Sequence, residues 1–507
     1  MTWGLGATVT NGDAGFHPGQ AALLAAAVLL SLVCFQLLRG LYRIVAIERG
    51  LSDVPSAPGG NILLGHVLPL LKGTPWDIMA AWVINFPPLV HLRILQRSMV
   101  VVGSAEGLKR VFQTNQRNYV KDLDFSFHPF LPILGTGLVT AQGALWQSQR
   151  LLMAPTLRVD VLDDVIGVAR RAADRLTAKL EEAKQSGQAV DMEEEFRLLT
   201  LQVIGEAVLS LPADECDRVF PQLYLPVMAE ANLRAIRPWR QYLPAPSFFA
   251  FLWRMHQLNS YIRALLRNRW NTRHERAKAA KLDILDRLIA AIEAKGGSWS
   301  NALETQLCYE IKTFLLAGHE TSAAMLTWTL YELTQRPDAL AKVREEAVAA
   351  TKASDEPSRA AAEDMVYTVS SLKETLRKYS VVPVVTRRVA ADDKICGMRI
   401  PAGTYLACCL QAVHASWQQP SAWRPERFLP GDEYDNFPED IRPFMFVPFI
   451  QGPRNCLGQY FALLEARIVL GLLVKRFKFQ YAASSPAVRH ASMIPVGPAD
   501  GMMMKVA

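Results

Sequence analysis

The sequence predicts a mainly α-helical protein with a small β portion, preceded by one N-terminal transmembrane helix. Three observations carry this expectation. Helical patterning runs from about Ala141 to Gln335, with only short breaks such as EAKGGSWSN (Glu293–Asn301). From Val381 onward, VVPVVTRRV and KICGMRIPAGTYLACC show β-branched alternation broken by Gly and Pro, the mark of short strands and hairpins. Ala21–Leu38 carries no charge over 18 residues, close to the roughly 20 that cross a bilayer. Half of the 507 residues are hydrophobic, enough for a large core. Length alone sets only a soft prior on domain number.

The apolar run is followed by Arg39, Arg43 and Arg49, and only Asp13 is charged before it. The positive-inside tendency places residues 1–20 in a lumen, 21–38 across the membrane and the remainder in the cytosol. No basic stretch or small-x-small cleavage site accompanies it, so a retained anchor is expected rather than a signal peptide. The Arg- and Ser-rich texture of a transit peptide is missing as well. DVPSAPGGN (Asp53–Asn61) then reads as a stiff turn-rich hinge, which makes residues 39–61 a basic, Pro/Gly-rich link to a body at 62–507. The net charge of +7 fits an anionic surface or an acidic partner protein. No long basic run suggests nucleic acid. Seven cysteines, odd in number and without a Cys-x-x-Cys pair, argue against a disulfide framework and for a body facing a reducing compartment.

One helix stands out. Asn301 with Glu304 resembles a capping box, and Pro337 supplies a stop. Between them lie about 34 residues without proline, roughly 50 Å of helix. Its apolar middle, FLLAGHETSAAML, holds Gly318, His319, Glu320, Thr321 and Ser322. An interior glycine costs about 1 kcal/mol against alanine, which suggests close approach of something. Thr321 can return its hydroxyl to a carbonyl one turn back. A His-Glu-x-x-His zinc site is excluded, because Ala323 stands where the second histidine belongs. The last segment, SMIPVGPADGMMMKV, reads as a further hairpin.

PFIQGPRNCLGQYF (Pro448–Phe461) sets one cysteine among glycines and an arginine, open to three readings: core thiol, nucleophile or ligand. Leu457–Phe477 is apolar almost all round, a buried helix with Cys456 at its start. A helix N-terminus favours thiolate over thiol. Gly452 and Gly458 let backbone approach a flat, bulky partner, and Arg454 offers a donor fork for a carboxylate. Together these describe a thiolate held against the metal of a ring that carries carboxylates.

Phe449-x-x-Gly452-x-Arg454-x-Cys456-x-Gly458 resembles the haem-binding signature of the cytochrome P-450 superfamily at every fixed position. Ala317-Gly318-His319-Glu320-Thr321 resembles its oxygen-activation motif. Glu374-x-x-Arg377 with Arg427 in RPERF resembles its Glu–Arg–Arg triad. Alone, a Glu–Arg pair three residues apart is a surface pair worth about 0.2–0.5 kcal/mol. Trp146-x-x-x-Arg150 and Arg387 occupy the places of groups that pair with haem propionates. The resemblance implies the cytochrome P-450 fold, with a long central helix over the haem and the Cys-ligand loop beneath. It implies haem b (iron protoporphyrin IX) with Cys456 as the iron ligand, cradled by Phe449, Gly452, Arg454, Gly458, Trp146, Arg150, Arg387, Ala317 and Gly318. Thr321 and Glu320 would handle dioxygen and protons, and Glu374, Arg377 and Arg427 would fix the cysteine loop. The implied reaction inserts one atom of O2 into a lipophilic substrate.

No Gly-x-Gly-x-x-Gly follows a strand, since GTGLVT (135–140) ends in Thr140, so electrons come from a separate protein. The family's microsomal members imply an NADPH-dependent flavoprotein reductase and the endoplasmic reticulum. In texture the central and C-terminal helices are similar to those of fatty-acid ω-hydroxylases and carotenoid-ring hydroxylases. KDLDFSFHPFLPILGTG (Lys121–Gly137) is expected to form a pocket wall, and PSFFAFLWRMH (Pro246–His256) either a wall or a membrane rest. Ser380 and Ser322 depart from the family's usual proline and threonine, and the segment before PERF is short. Two alternatives stand beside this reading: a haem-thiolate isomerase or dehydratase acting on peroxides, and a membrane-tethered haem sensor without turnover.

Overall fold

A computed structural model describes residues 18–507 apart from 158, 280, 353–356 and 491–494, so most of the segment 1–20 expected to be lumenal lies outside the described residues. Ten helices build the body around the site, numbered here after the N-terminal α1 (Pro18–Gly50). They are α2 (Gly143–Met153), α3 (Val159–Ser186), α4 (Met192–Leu209), α5 (Leu225–Ile236), α6 (Pro246–Asn271), α7 (Asn301–Gly318), α8 (Glu320–Thr334), α9 (Pro337–Ala350), α10 (Val366–Tyr379) and α11 (Gln459–Arg476). Their apolar faces close one large core, to which Phe196, Leu315, Trp328 and Leu470 contribute fully buried side chains.

Helix α1 does not end at Leu38. It continues through Arg39 to Gly50; Leu29, Leu32 and Phe35 are exposed, while Ile47 near its end is half-buried against the body. The segment read as a stiff hinge is tied to the body. His91 N–H donates to Pro55 O and Ala57 N–H to His91 O, both at 2.7 Å, laying Pro55–Ala57 alongside the first strand. Val54 and Ala57 are buried in the body.

That strand, β1 (Leu89–Ile94), forms a hairpin with β2 (Arg97–Val102), pairing Leu89 with Val102 and Ile94 with Arg97. The run Val100–Val102 is buried on both faces, so it shows no alternation for a period of two to detect. The five-stranded sheet has the order β1-β2-β8-β5-β3, with β3 at Tyr119–Val120, β5 at Val384–Val389 and β8 at Tyr405–Cys409. β2 and β8 run parallel, and β5 lies antiparallel to β8 with Arg387 opposite Leu406. Asp393–Ile395 (β6) and Met398–Ile400 (β7) form the expected small hairpin. The closing hairpin is different from its expectation. Part of SMIPVGPADGMMMKV falls among the undescribed residues 491–494, and Met503–Val506 (β10) pairs instead with Phe479–Tyr481 (β9) and Val190–Asp191 (β4).

The central helix starts one residue earlier than its capping box suggests: Ser300 is the N-cap, and its Oγ accepts from Leu303 N–H at 3.1 Å. Glu304 faces inward to Arg267 (2.7 Å) rather than back to the cap. The helix also breaks. α7 ends at Gly318, α8 begins at Glu320, and His319 sits between them with φ −97° and ψ −58°. Thr200 of α4 donates to the His319 carbonyl at 2.9 Å, so that oxygen serves a neighbour as well as Ala323 N–H (3.0 Å).

Candidate active site

The cysteine loop is held by its backbone. Cys456 N–H donates to Phe449 O (2.8 Å) and Asn455 N–H to Gly452 O (3.1 Å). Gly452 adopts φ +78°, and a Cβ there would lie 2.1 Å from Phe112 O, so only glycine fits. Gly458, by contrast, has nothing within 4 Å of where its Cβ would be. Cys456 itself is reachable by solvent, yet protein surrounds it closely, as for a group lining an enclosed cleft. It lies two residues before the Gly458 N-cap rather than in the first turn of α11. Burial pushes its thiol up; the Gly458 N–H and the Arg150 charge pull the other way. The helix terminus therefore does not make a free thiolate here, and a bound metal cation is what would stabilise one.

Arg150 and Arg454 are occupied differently from expectation. Arg150 donates to the Asn455 carbonyl (2.8 Å) and to its Oδ1 (2.6 Å), clamping the loop beside Cys456 rather than pointing freely at a propionate. Arg454 stacks over Trp146, 4.2 Å from the ring centroid, and donates to Ala141 O at 3.0 Å. Arg387 is buried and lies over Phe112, its guanidinium donating to Thr386 O at 2.7 Å.

Three cations converge: Arg387, Arg454 and Lys121. None has a carboxylate in ion-pair range among the described residues. Burial lowers all three, and mutual repulsion lowers Lys121 and Arg454 further, Arg454 to about 10. Enclosed cations without counter-ions call for an anion. Sequence reasoning passed over Lys121 because a single lysine after a two-residue strand carries no spacing signal.

On the central helix only some motif residues are accessible. Ala317 is exposed in the middle of a buried helix, and Thr321, one turn on, donates to Ala317 O at 2.8 Å. Gly318 points elsewhere. A Cβ there would meet Ile204 Cδ1 at 2.7 Å, so its smallness serves the packing of α7 on α4, not room above a ring. Glu320 is buried, 3.6 Å from Arg197 and 3.6 Å from His319 Nε2. Burial raises its pKa, and Arg197 opposes the rise.

Glu374, Arg377 and Arg427, named from the family resemblance, meet in one buried cluster. Arg377 grips Glu374 with two hydrogen bonds (2.7 and 2.8 Å), and Arg427 reaches Glu374 Oε1 at 3.2 Å. The remaining donors of Arg377 go to the carbonyls of His414, Pro420 and Ala422. Arg427 also pairs with Glu433. Ser380, at φ +44°, takes a backbone conformation closed to proline, which accounts for that departure. Its hydroxyl meets His414 Nδ1 at 2.9 Å.

The expected pocket wall packs onto α7. A Cβ on Gly135 would enter the Tyr309 ring and one on Gly137 the Thr313 hydroxyl, while Leu138 N–H donates to Glu310 at 2.9 Å. Phe249, Leu252 and Trp253 of α6 are exposed, so PSFFAFLWRMH turns part of its apolar face outward. An open cavity of about 350 Å³ beside Ser210 and Tyr261 contains none of the motif residues.

These residues fit a flat dianionic ring bound through iron: a cysteine in a cleft, open space over Gly458, and cations lacking counter-ions. The site is thus of the haem-thiolate class. The cytochrome P450 family model matches residues 55–499, and the chain belongs to that family. It is 28% identical over 438 residues to Protein LUTEIN DEFICIENT 5, chloroplastic, of Arabidopsis thaliana, covering 83% of this chain and 72% of that protein. It is 27% identical over 500 residues to the human ultra-long-chain fatty acid omega-hydroxylase, covering 90% and 89%. The crystal structure of the cytochrome P450DA haem domain shares its fold at a TM-score of 0.77 and 22% identity, over 90% of this chain and 97% of that one. The protein is an oxidoreductase, a P450 monooxygenase that binds haem b and uses O2 and a redox partner.

Proposed function

We propose that the protein hydroxylates a long lipophilic molecule of fatty-acid or carotenoid type over the cleft face formed by Ala317 and Thr321. The observation that carries this is Ala317, exposed late in α7 where the residues on either side are buried or half-buried. A small accessible side chain there leaves room for an apolar chain end beside Thr321. Relatives named as a carotene epsilon-monooxygenase and an ultra-long-chain fatty acid omega-hydroxylase support the substrate class.

Haem b, held by Cys456 with Arg387, Arg454 and Lys121 toward its carboxylates, supplies dioxygen activation, which thiolate ligation favours. Phe449 and Gly452 shape the loop, Gly458 admits the ring, and Trp146 and Arg150 brace Arg454 and Asn455. Thr321 keeps its hydroxyl oriented through Ala317 O, and Glu320 passes protons toward it. Glu374, Arg377 and Arg427 hold the segment leading to Cys456.

The electron donor in this reading is an NADPH-dependent flavoprotein reductase. The apolar part of α1 anchors the body, as a single span, to the endoplasmic reticulum membrane, with the catalytic residues cytosolic; the helix Ala26–Gly50 is 25 residues long and contains a window apolar enough to cross. The deciding experiment is an absorption titration of the purified ferric protein with fatty acids, carotenoids and sterols. A saturable Soret shift toward the high-spin position with fatty acids or carotenoids is expected. Shifts with sterols alone would overturn the substrate class.

A further inference from the structure

The break at His319 gathers around Glu320 polar groups that the reading above leaves unused. α4 brings Arg197 and Thr200, and the π-helical turn Phe220–Tyr224 ahead of α5 brings Tyr224. His319 and Glu320 come from the α7–α8 junction. In that turn Leu225 N–H reaches back five residues to Phe220 O, a local widening that recurs at functional sites.

His319 Nδ1 lies 2.8 Å from Leu315 O. A carbonyl only accepts, so Nδ1 carries the hydrogen and Nε2 is left as an acceptor. Burial pushes the imidazole down to about 4, which keeps this neutral tautomer across the physiological range. Yet Nε2 is buried without a hydrogen-bond partner. Its nearest polar neighbour, Glu320 Oε1, stands at 3.6 Å, beyond a direct bond. Tyr224 Oη is likewise fully buried and unpartnered, and its ring meets the His319 ring edge-on at 5.4 Å. The Tyr224 hydroxyl feels the charges of both Glu320 and Arg197. Arg197 Nη2 is also 3.6 Å from Glu320 Oε1.

A buried hydroxyl and an imidazole acceptor, both unpartnered, thus lie on adjoining rings beside a carboxyl oxygen 3.6 Å from the imidazole. Buried waters bind where two to four such groups meet. We propose that Tyr224 Oη, His319 Nε2 and Glu320 Oε1 hold one buried water, and that Tyr224 acts through it as a positioning residue for Glu320. The inference rests on the reading of Glu320 as the acid that serves Thr321. The water orients the carboxyl, and Arg197 with Glu193 and Glu194 of α4 are the charged groups facing it from that side. A proton that leaves Glu320 for Thr321 is replaced from the water, which recovers it from the solvent side of α4.

The test uses the full haem-loaded chain in phosphatidylcholine vesicles with an NADPH flavoprotein reductase. A crystal structure of the ferric protein is expected to show an ordered water within hydrogen-bond distance of Tyr224 Oη and His319 Nε2; a dry junction overturns the proposal. Tyr224→Phe keeps the ring on His319 and removes only the hydroxyl. NADPH-driven oxygen consumption should fall about tenfold, the scale of supporting partners at reactive sites, with a larger solvent deuterium effect and an unchanged Soret spectrum. Oxygen consumption and isotope effect equal to wild type would overturn the positioning role. Glu320→Gln separates the two readings. If it slows turnover while Tyr224→Phe does not, only this inference falls; if neither does, the role of Glu320 falls as well.

Discussion

The guanidinium carbon of Arg454 lies 4.2 Å from the centre of the Trp146 ring, so the first residue of one motif seats the arginine of another. The stack ties α2 to the cysteine loop. Replacing Trp146 with leucine removes a contact worth about 0.5–2 kcal/mol and frees Arg454. Haem transfer to an acceptor apoprotein should accelerate correspondingly, while Trp146→Phe retains most of the grip.

Lys121, Arg387 and Arg454 repel one another when no anion lies between them. Arg387→Met should therefore stabilise the haem-free protein, by about 1 kcal/mol at interior screening, while weakening haem retention. Thermal melts with and without haem check both signs. A residue with a merely structural role would lower both.

Glu374 neutralises two buried guanidinium groups. Glu374→Ala leaves Arg377 and Arg427 facing each other without a shared carboxylate, a loss of about 3–5 kcal/mol. The expected result is little soluble haem protein and a sharply lowered melting temperature. Glu374→Asp, too short to reach both partners, should be intermediate.

The two loop glycines should fail in different ways. Gly452→Ala drives a methyl group into Phe112 O and strains a left-handed backbone, costing at least about 1–2 kcal/mol with or without haem. Gly458→Ala meets no protein atom, so the haem-free protein should melt as wild type while haem affinity drops.

Glu465 of α11 is wholly buried with both carboxyl oxygens unpartnered, and burial pushes it up to about 8, the nearby Ser322 hydroxyl offsetting only part of this. Unfolded, it ionises near 4.5. Between those values the folded state holds the extra proton, so stability falls as pH rises through this window and levels off above about 8. Glu465→Gln should flatten that slope, read from urea midpoints across the pH range.

Residues that act through fixed spacing were legible from the sequence. The Glu374–Arg377 pair sits one helical turn apart, and Cys456 and Gly452 lie in one contiguous loop, so local geometry decided their meeting. What escaped depends on contacts distant in sequence. Gly318 looked like space for a ligand until Ile204 of α4 filled it. Arg150 looked free until Asn455, 305 residues away, claimed it. The helix break at His319 is pinned by Thr200, and no periodicity within 301–334 encodes a hydroxyl supplied by another helix. The β1–β2 hairpin was missed because burial on both faces erases alternation.

The end of α1 is fastened rather than slack. Glu48 accepts from Ser98 at 2.7 Å and lies 3.1 Å from His91, a Cβ on Gly50 would lie 2.4 Å from Pro401, and Leu51 is buried just beyond. A span joined this way transmits angle as well as position. With α1 in a bilayer, a thinner or thicker lipid layer changes the tilt of the span. In the proposed reading the cleft would rotate with it, and lipid thickness would set the angle at which a membrane-dissolved substrate meets the protein.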